Sequence, residues 1–507
     1  MGKFYITTPI YYVNASGHIG HAYTTVIADC LSRYHRLKGD SVFYLTGTDE
    51  HGEKIKKAAI AAGQEPQAFV DKVSQNFKNL WQALNVDYDR FIRTTDKDHQ
   101  DAVAEVIRIL DKKGDIYKAS YKAYYCMPCE TFWTDTQVKE SGGKCQLCAR
   151  PVEHVEEENY FFRLSKYEGW LKKYLEDNPD FVQPKTRYNE IKGFLDNNKL
   201  EDLCISRPKA RVSWGIEFPL DSGYVVYVWF DALLNYISAP GFLSDKQKFN
   251  QLWPADVHLM AKDIIRHHAI FWPVMLKALD LPMPKVIFAH GWWKIGEEKM
   301  SKSIGNIVDP LEVIKAVGVD GLRYFLLREV PLGADGNYSA QGLINRVNSD
   351  LANDLGNLIY RTLNMVEKYF QGNVKKAFAL PENYRAAFER MAGEYPKFMD
   401  SLSVAPAIES VLNFVGVMNK SIEEAKPWNL SKEGKIDELE RLMYVLLEGI
   451  RIVSIYLYPV MPASMESVHR QLGLEGKINL ADCIWGKAAG YNIKKENPLF
   501  PRIDVNR

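Results

Sequence analysis

The sequence predicts an α/β protein in which a parallel-sheet domain carries an insertion and is followed by an α-helical bundle. The opening reads as a strand (FYITTPIYYV), a turn-forming stretch (NASGHIG), a helix (HAYTTVIADCLSRYHRLKG) and a second strand (SVFYLTGT). This order is a βαβ unit, whose two strands run parallel. Residues 115–225 differ in texture, with clustered cysteines and many Gly and Pro breaks, and strand signals stop after about residue 340.

Each element of the α/β region follows from the spacing of its apolar residues. The first helix is predicted to end at Gly39, a residue that tolerates the left-handed conformation of a helix C-cap. Further helices are predicted over residues 53–62, 66–84 and 97–113. After the insertion, YVVYVWF (224–230) and VIFAHGWW (286–293) are predicted strands that return to the α/β pattern.

The C-terminal region shows helical periodicity. Between residues 351 and 370 apolar side chains recur at spacings of three and four, and a polar stripe lies on the opposite face. Residues 403–422 and 435–458 repeat this pattern. Successive amphipathic helices without strands predict a helical bundle.

Bulk composition sets broad limits. A chain of 507 residues is too long for one hydrophobic core and suggests three or four domains. Its 64 basic and 64 acidic residues cancel, so composition neither supports nor excludes an RNA partner. No apolar run is long enough for a membrane span, and no export or organelle signal is visible at the N-terminus. A cytoplasmic protein without membrane contact is therefore expected.

Four of the seven cysteines form two C-x2-C pairs, Cys126/Cys129 and Cys145/Cys148, separated by fifteen residues. Two such chelating turns can close on one tetrahedral Zn²⁺ ion, and four protein ligands leave no open position. The spacing predicts one structural zinc per chain. Buried free cysteines and two disulfides are the alternative interpretations.

Two short strings carry candidate phosphate chemistry. In His18-Ile19-Gly20-His21, at the start of the first helix, two imidazoles and the helix N-terminus can donate to phosphate oxygens. In Lys299-Met300-Ser301-Lys302-Ser303, two ammonium groups on a loop can neutralise a departing pyrophosphate. Each string alone is also typical of an ordinary feature, a capped helix start or a solvated turn.

Together, HIGH and KMSKS resemble the two signatures of class I aminoacyl-tRNA synthetases, and both are unaltered here. The blocks TTPIYYVNASGHIGHAYTTVIADCLSRYHRLKG, FYLTGTDEHG, ISRPKARVSWGI, YVWFDALLNYISA, HLMAKDIIRHHAIFWP and EEKMSKSIGNIVDP resemble the methionyl-tRNA synthetase family, in its order. With the helical C-terminal region, the similarity covers about residues 3–480.

The resemblance implies a class I synthetase fold with a Rossmann-type catalytic domain. We expect this domain at residues 1–115 and 226–295, split by a zinc-bearing insertion at 116–225. A linker carrying the KMSKS string (296–345) then leads to an α-helical anticodon-binding domain (346–507). The dimerising, tRNA-binding domain appended to some relatives is not present in this sequence, so a monomer is expected.

The resemblance also implies a methionine pocket, residue by residue. Asp49 would hold the substrate ammonium, and Tyr12 and His268 would be polar neighbours of the sulfur. One departure is Leu233, where some relatives have proline. Without the family, the aromatic residues of this set are typical of a core. The full pocket would be formed by Ile10, Tyr12, Asp49, Trp229, Ala232, Tyr236, Ile264 and His268.

In the helical region, the resemblance implies an anticodon-reading set of Asn357, Arg361 and Trp428. Amide and guanidinium donors next to an aromatic platform are how proteins read unstacked bases. Without the family, Trp428 would be interpreted as a buried anchor of the bundle.

The implied reaction is methionine–tRNA ligation in two steps. ATP, with Mg²⁺, activates L-methionine to methionyl-adenylate and pyrophosphate, and the acyl group then passes to the 3′ end of tRNA(Met). His18, Gly20 and His21 would contact the phosphates, and Lys302, helped by Lys299, would stabilise pyrophosphate. The alternatives are a related HIGH/KMSKS ligase for another amino acid and a non-catalytic tRNA-binding relative.

Overall fold

The computed structural model of the protein describes residues 2–14, 16–133, 135–146, 148–296, 298–299 and 307–504. Within these ranges the strands, in chain order, are β1 Lys3–Thr7, β2 Tyr11–Tyr12, β3 Ser41–Asp49, β4 Arg90–Arg93, β5 Ile116–Cys126, β6 Thr131–Trp133, β7 Glu153–Phe162, β8 Val182–Gln183, β9 Leu203–Cys204, β10 Ser206–Pro208, β11 Tyr224–Val226, β12 Val257–Ala261, β13 Val286–His290, β14 Trp293–Ile295, β15 Glu298–Lys299, β16 Gly336–Asn337, β17 Asn373–Val374 and β18 Tyr491–Asn492.

The α-helices of the same ranges are α1 Ile19–Lys38, α2 Glu53–Ala61, α3 Pro66–Ala83, α4 Lys97–Lys112, α5 Asp135–Glu140, α6 Glu168–Asp177, α7 Lys185–Asn197, α8 Val228–Leu233, α9 Asn235–Ser238, α10 Lys246–Leu252, α11 Trp272–Ala278, α12 Pro310–Val317, α13 Val319–Arg328, α14 Ala340–Arg346, α15 Asn357–Phe370, α16 Glu382–Asp400, α17 Val404–Ala425, α18 Pro427–Lys432, α19 Ile436–Leu457 and α20 Pro462–Gln471. Two π-helical segments, His267–Phe271 and Val347–Gly356, precede α11 and α15. No helix of the described ranges combines the length and the apolar composition needed to cross a bilayer.

The α/β half is built on a parallel sheet of order β2-β3-β1-β12-β13-β8, with β4 paired to β3. β1 pairs with β3 on one side and with β12 on the other, both parallel. The buried face of α1 packs on this sheet, and α1 ends at Gly39, whose φ of 89° is left-handed as predicted. The predicted helices after β3 are also present, as α2, α3 and α4.

The insertion forms a second, antiparallel sheet of order β6-β5-β7-β9. The first of its cysteine-bearing turns lies at the end of β5, where Cys126 is the last strand residue, and the second lies between α5 and β7. Between β7 and β9 the chain returns to the parallel sheet, because β8 pairs with β13 there. The segment predicted as the insertion therefore contributes one strand to the parallel sheet.

The strand prediction for residues 224–230 was only half correct. β11 ends at Val226, and α8 begins at Val228 because the Tyr227 carbonyl accepts hydrogen bonds from the amides of Phe230 and Asp231. The aromatic and β-branched composition favours a strand. Long-range hydrogen bonds to the Asp231 side chain override this preference.

The C-terminal region is the predicted helical bundle. Helix α17 is apolar along one side and packs against α16 and α19, whose middle is fully buried. The fully buried Arg323 of α13 joins this bundle to the α/β half. It pairs with Asp29 of α1 at 2.6 Å and donates to the carbonyl oxygens of Pro459 and Val460.

Candidate active site

The candidate site lies at the carboxyl edge of the parallel sheet. β1 lies between β3 and β12. After β1 the chain first forms β3 on one side of it and only later forms β12 on the other side. Ligands of open α/β sheets bind at such a switch point, beyond the carboxyl ends of the strands. The segment between β1 and α1 carries Ile10 in a loop and Tyr12 in the short strand β2.

His18 and His21 form a reciprocal cap on α1. The His18 Nδ1 accepts from the Gly20 amide at 3.1 Å, and the His18 amide donates to the His21 Nδ1, also at 3.1 Å. Because both Nδ1 atoms accept, each neutral imidazole carries its proton on Nε2. A helix N-terminus with two imidazole N–H donors suits phosphate oxygens. A Cβ at position 20 would lie 2.9 Å from the His18 ring, so a larger residue there would displace that ring.

The segment that follows the KMSKS string touches this cap. The Ile19 amide donates to the Val308 carbonyl at 3.2 Å. Lys299 lies on β15, opposite Lys294 of β14. Lys302, the other predicted phosphate ligand, lies outside the described residues.

Asp49 ends β3 at the same edge. Its side chain is buried, and among the described residues its Oδ1 has no hydrogen-bond partner. Burial is the main reason why the pKa of Asp49 lies well above its usual value, and repulsion from three nearby carboxylates adds to it: Asp231, Glu130 and Glu50. A buried acceptor in a negative environment is suited to an ammonium group.

Three of the predicted pocket residues take part in two side-chain contacts, a hydrogen bond between Tyr236 and His268 and a ring stack of Trp229 on His267. Tyr236 and His268 are buried, and the Tyr236 hydroxyl lies 2.7 Å from the His268 Nε2. Trp229 stacks on His267 with ring centroids 3.8 Å apart. Ala232 is buried in α8. Ile10 and Ile264 are half-buried and pack against the apolar core that contains Tyr236.

The two groups expected beside the sulfur already have partners in the protein. The His268 Nδ1 lies 2.9 Å from the Ile264 carbonyl and must donate to it, so Nε2 accepts the Tyr236 proton. The Tyr12 hydroxyl donates to the Glu130 carboxylate at 2.6 Å. A contact of either group with a methionine sulfur requires an exchange of partners. It stays a prediction.

Sequence reasoning missed a buried charged cluster close to Asp49, formed by Asp231 and two histidines. Asp231 is fully buried between two histidines, with its oxygens 2.7 Å from the His51 Nδ1 and 2.8 Å from the His99 Nε2. Burial alone would raise the pKa of Asp231, but these imidazoles hold it below its usual value. His51 and Asp231 both lie within the recognised blocks, which was the available signal, whereas His99 had none.

The four clustered cysteines fit a tetrahedral ion. Their sulfur atoms all lie within 4.8 Å of one another, with Cys126–Cys148 at 3.6 Å and Cys129–Cys145 at 3.8 Å. A zinc ion with zinc–sulfur distances of about 2.3 Å has tetrahedral edges of about 3.8 Å. These separations are far beyond a disulfide bond, and the four cysteines are not joined by disulfides. The cluster could hold one metal ion.

The predicted anticodon residues lie on the outside of the bundle. Asn357 is exposed at the start of α15, and Arg361, one turn later, pairs with Glu423 at 2.7 Å. Trp428 is 40% exposed beside the buried Pro427. This exposure contradicts a buried anchor and leaves the indole accessible for stacking. Helices α15 and α18 both pack on α19.

Comparison with known proteins assigns the family. The family described as tRNA synthetases class I (M) matches residues 4–363. A Methionine--tRNA ligase of Caldanaerobacter subterraneus subsp. tengcongensis is 47% identical over 99% of this chain and 79% of its own length. The Methionine--tRNA ligase of Bacillus subtilis is 43% identical over 99% of this chain and 78% of its own length. The chain belongs to the methionyl-tRNA synthetase family.

Solved structures agree with this membership. The Mycobacterium tuberculosis methionyl-tRNA synthetase in complex with methionyl-adenylate superposes with a TM-score of 0.93 at 39% identity, covering 99% of this chain and all of that one. Its apo form superposes with a TM-score of 0.87 at 36% identity, with 99% of each chain covered. The predicted family, class I fold, methionine–tRNA ligase function and substrates are thereby confirmed.

Proposed function

We propose that the residues gathered at the carboxyl edge of the sheet carry out methionine–tRNA ligation in this chain. The methionine carboxylate attacks the α-phosphorus of ATP, the bond to the β-phosphate oxygen breaks, and pyrophosphate leaves. A hydroxyl of the terminal tRNA adenosine then attacks the carbonyl carbon of the adenylate and releases AMP. Neither step needs a protein nucleophile, so catalysis rests on positioning and charge stabilisation.

The observation that carries this proposal is the buried Oδ1 of Asp49 at the end of β3, for which the described part of the chain supplies no partner. A bound ammonium would pair with it and relieve the repulsion from the neighbouring carboxylates. The aromatic walls formed by Trp229 and Tyr236 suit a flexible apolar side chain with a polarisable sulfur. An amino acid held this way directs its carboxylate away from Asp49.

The phosphate groups of ATP are assigned to the cap of α1. The Nε2 protons of His18 and His21 donate to phosphate oxygens, and Gly20 lets the backbone approach them closely. Lys299 and Lys302 neutralise the charge of the departing pyrophosphate. Mg²⁺, when bound with ATP, screens the phosphate oxygens from one another.

Zinc is the metal that we assign to the four cysteines. Thiolate ligands in a tetrahedral set are typical of structural Zn²⁺, and a complete set leaves no position for a reacting water. The ion would hold the two cysteine turns of the insertion together and take no part in the chemistry.

The α-helical domain is assigned to the anticodon, through Asn357, Arg361 and Trp428. An exposed indole offers a stacking surface, and the amide and guanidinium groups offer donors for base edges. We assign the enzyme to the cytoplasm, where ATP and uncharged tRNA are available. The monomeric state stays a prediction that sedimentation analysis can test.

ATP–pyrophosphate exchange with a panel of amino acids tests the proposed function. We expect exchange with methionine and at least about 100-fold weaker exchange with leucine, isoleucine and valine, because the pocket selects shape and sulfur. Exchange with a different amino acid would reassign the substrate. Exchange with none of them would favour a non-catalytic tRNA-binding protein.

A further inference from the structure

Glu130, the residue after the metal-site cysteine Cys129, reaches out of the insertion into the candidate methionine pocket. Its side chain is only 5% exposed, and its backbone is left-handed, with φ of 47°. This conformation costs free energy in a residue other than glycine and persists only when surrounding contacts compensate for it. Such contacts are present at the backbone and at both carboxylate oxygens.

Each carboxylate oxygen accepts from a different element of the catalytic domain. Oε2 accepts from the Tyr12 hydroxyl at 2.6 Å, and Oε1 accepts from the Lys54 amide at 3.1 Å. Lys54 lies in the first turn of α2, whose N-cap is Gly52, a residue that has no side-chain acceptor to offer. Glu130 therefore supplies that cap from another domain, and its negative charge suits a helix N-terminus.

The backbone around this contact is shaped to leave room for it. The Cβ of any larger residue at position 52 would lie 2.7 Å from the Glu130 Oε1 and 2.9 Å from the Tyr12 hydroxyl oxygen. Gly52 also has φ of 112°, where other residues are strained. On the other side, the Glu130 carbonyl accepts from the Tyr227 hydroxyl.

We propose that Glu130 is a positioning residue for the methionine pocket, and that through it the cysteine-bearing insertion determines where Tyr12 and the Asp49–Gly52 segment lie. This inference rests on the proposed function, since it concerns the same pocket. Tyr12 precedes the cap of α1, and Asp49 precedes α2 by only a few residues. One carboxylate thus holds both segments against each other.

The substitution Glu130→Ala removes both acceptors. The methionine Kd, measured by calorimetry, should rise about tenfold to a hundredfold, as expected for the loss of a hydrogen bond to a charged group. The KM for methionine should rise with it, whereas kcat at saturating methionine and the KM for ATP should change far less. The protein's metal content should stay at the wild-type value.

Two further variants separate positioning from general stability. Glu130→Gln keeps one acceptor oxygen but turns an amide donor towards the other partner, so its Kd should lie between those of wild type and Glu130→Ala. Tyr12→Phe removes only the hydroxyl, and adding it to Glu130→Ala should cost little more than Glu130→Ala alone, because the contact between the two side chains is already lost. Glu156→Ala, an exposed glutamate on β7 paired with Lys122, is the matched control and should leave the Kd unchanged.

An unchanged Kd in Glu130→Ala or in Tyr12→Phe would overturn the inference. Fully additive losses in the double variant, or a loss of metal together with kcat, would also overturn it. If Glu130→Ala does not fold, the methionine Kd values of Tyr12→Phe and Glu130→Gln test the inference instead. Wild-type Kd values in both variants would overturn it. Wild-type enzyme without methionine-dependent exchange would instead contradict the proposed function, so the two failures are distinguishable.

Discussion

At the scale of single residues, Asp49 carries the strongest chemical signal. It is a buried carboxylate whose pKa is raised by burial and by neighbouring carboxylates. Such an arrangement costs the empty protein free energy once Asp49 ionises. A substrate that supplies a positive charge offsets part of this cost. The pocket therefore binds an ammonium group in preference to a neutral group.

Asp49→Asn should raise the methionine Kd by roughly 100-fold or more, because truncating one partner of a buried charge pair costs about 2 to 5 kcal/mol. Calorimetry measures this loss. The melting temperature at neutral pH should not fall, since the variant removes a charge whose raised pKa destabilises the folded state as pH rises. A near-normal Kd, or a large drop in melting temperature, would contradict the assignment.

The same carboxylate should make methionine binding pH-dependent. Its pKa in the empty pocket is raised, so Asp49 is protonated at acidic pH values where an ordinary aspartate is ionised. The ammonium pairs with the ionised form, so the Kd should rise as pH falls through that raised pKa, and binding should release a proton. Calorimetry in buffers of different ionisation enthalpy detects this proton. In Asp49→Asn the dependence should disappear.

At the scale of elements, two π-helical segments coincide with candidate binding residues. One contains His267 and His268, and the other ends immediately before Asn357. A π-turn adds a residue to the helix and rotates the following side chains relative to the preceding ones, and such bulges often lie at functional sites. These irregularities redirect side chains without breaking the helix.

The KMSKS string is the element whose charge should matter during the chemical step. Lys302→Ala should slow adenylate formation by a factor of about 100 or more while leaving the methionine Kd unchanged, since the ammonium acts mainly on the departing pyrophosphate. Rapid-quench measurement of adenylate formation checks this. Lys315→Ala, an exposed lysine on α12, is the matched control. Normal adenylation in Lys302→Ala would remove the string from the mechanism.

The cysteine turns should hold one zinc per chain. Cys126→Ala should lower the zinc content measured by atomic emission, because three ligands retain structural zinc poorly. It should also expose the insertion to proteolysis, since Cys126 is fully buried in the small core around Trp133. Cys483→Ala, in the helical domain, should keep the full zinc content. Full occupancy in Cys126→Ala would show that this sulfur is not a ligand.

At the scale of the whole molecule, the α/β half and the bundle share buried polar contacts. Arg323 is fully buried and satisfied by Asp29 and by backbone carbonyls from both halves. Removing one partner of such a pair leaves an uncompensated buried charge, which is strongly destabilising. The two halves therefore do not behave as domains joined only by a linker.

Trp428→Ala should separate the two activities of the enzyme. Methionine-dependent ATP–pyrophosphate exchange should stay near wild type, whereas kcat/KM for tRNA should fall roughly 5- to 150-fold, because one base–aromatic stack is worth about 1 to 3 kcal/mol. A minihelix that lacks the anticodon should show a much smaller loss. Aminoacylation assays on both substrates measure the difference.

The control for this prediction is Ile484→Ala, which truncates another exposed apolar side chain of the same domain. It should change the aminoacylation of neither tRNA nor the minihelix. Equal losses of Trp428→Ala on tRNA and minihelix, or a fall of several degrees in melting temperature, would favour a structural role for the indole.

Much of this protein follows from local sequence. The βαβ opening, the helices after β3, the amphipathic helices of the bundle and the four-cysteine cluster all follow from residue spacing over short ranges. Apolar periodicity determines which face of an element is buried, and C-x2-C spacing brings two sulfurs to one turn. The HIGH and KMSKS strings with their flanking blocks predicted the family.

Tertiary structure alone decided which side chains meet. The strand predicted through residue 230 ends early because Asp231 is drawn between His51 and His99, which lie more than a hundred residues away in the chain. The Tyr12 proton is directed to Glu130, a residue that local spacing did not mark. The physical reason is that one buried hydrogen bond can outweigh a local propensity of a few tenths of a kcal/mol. Local spacing carries no record of such distant partners.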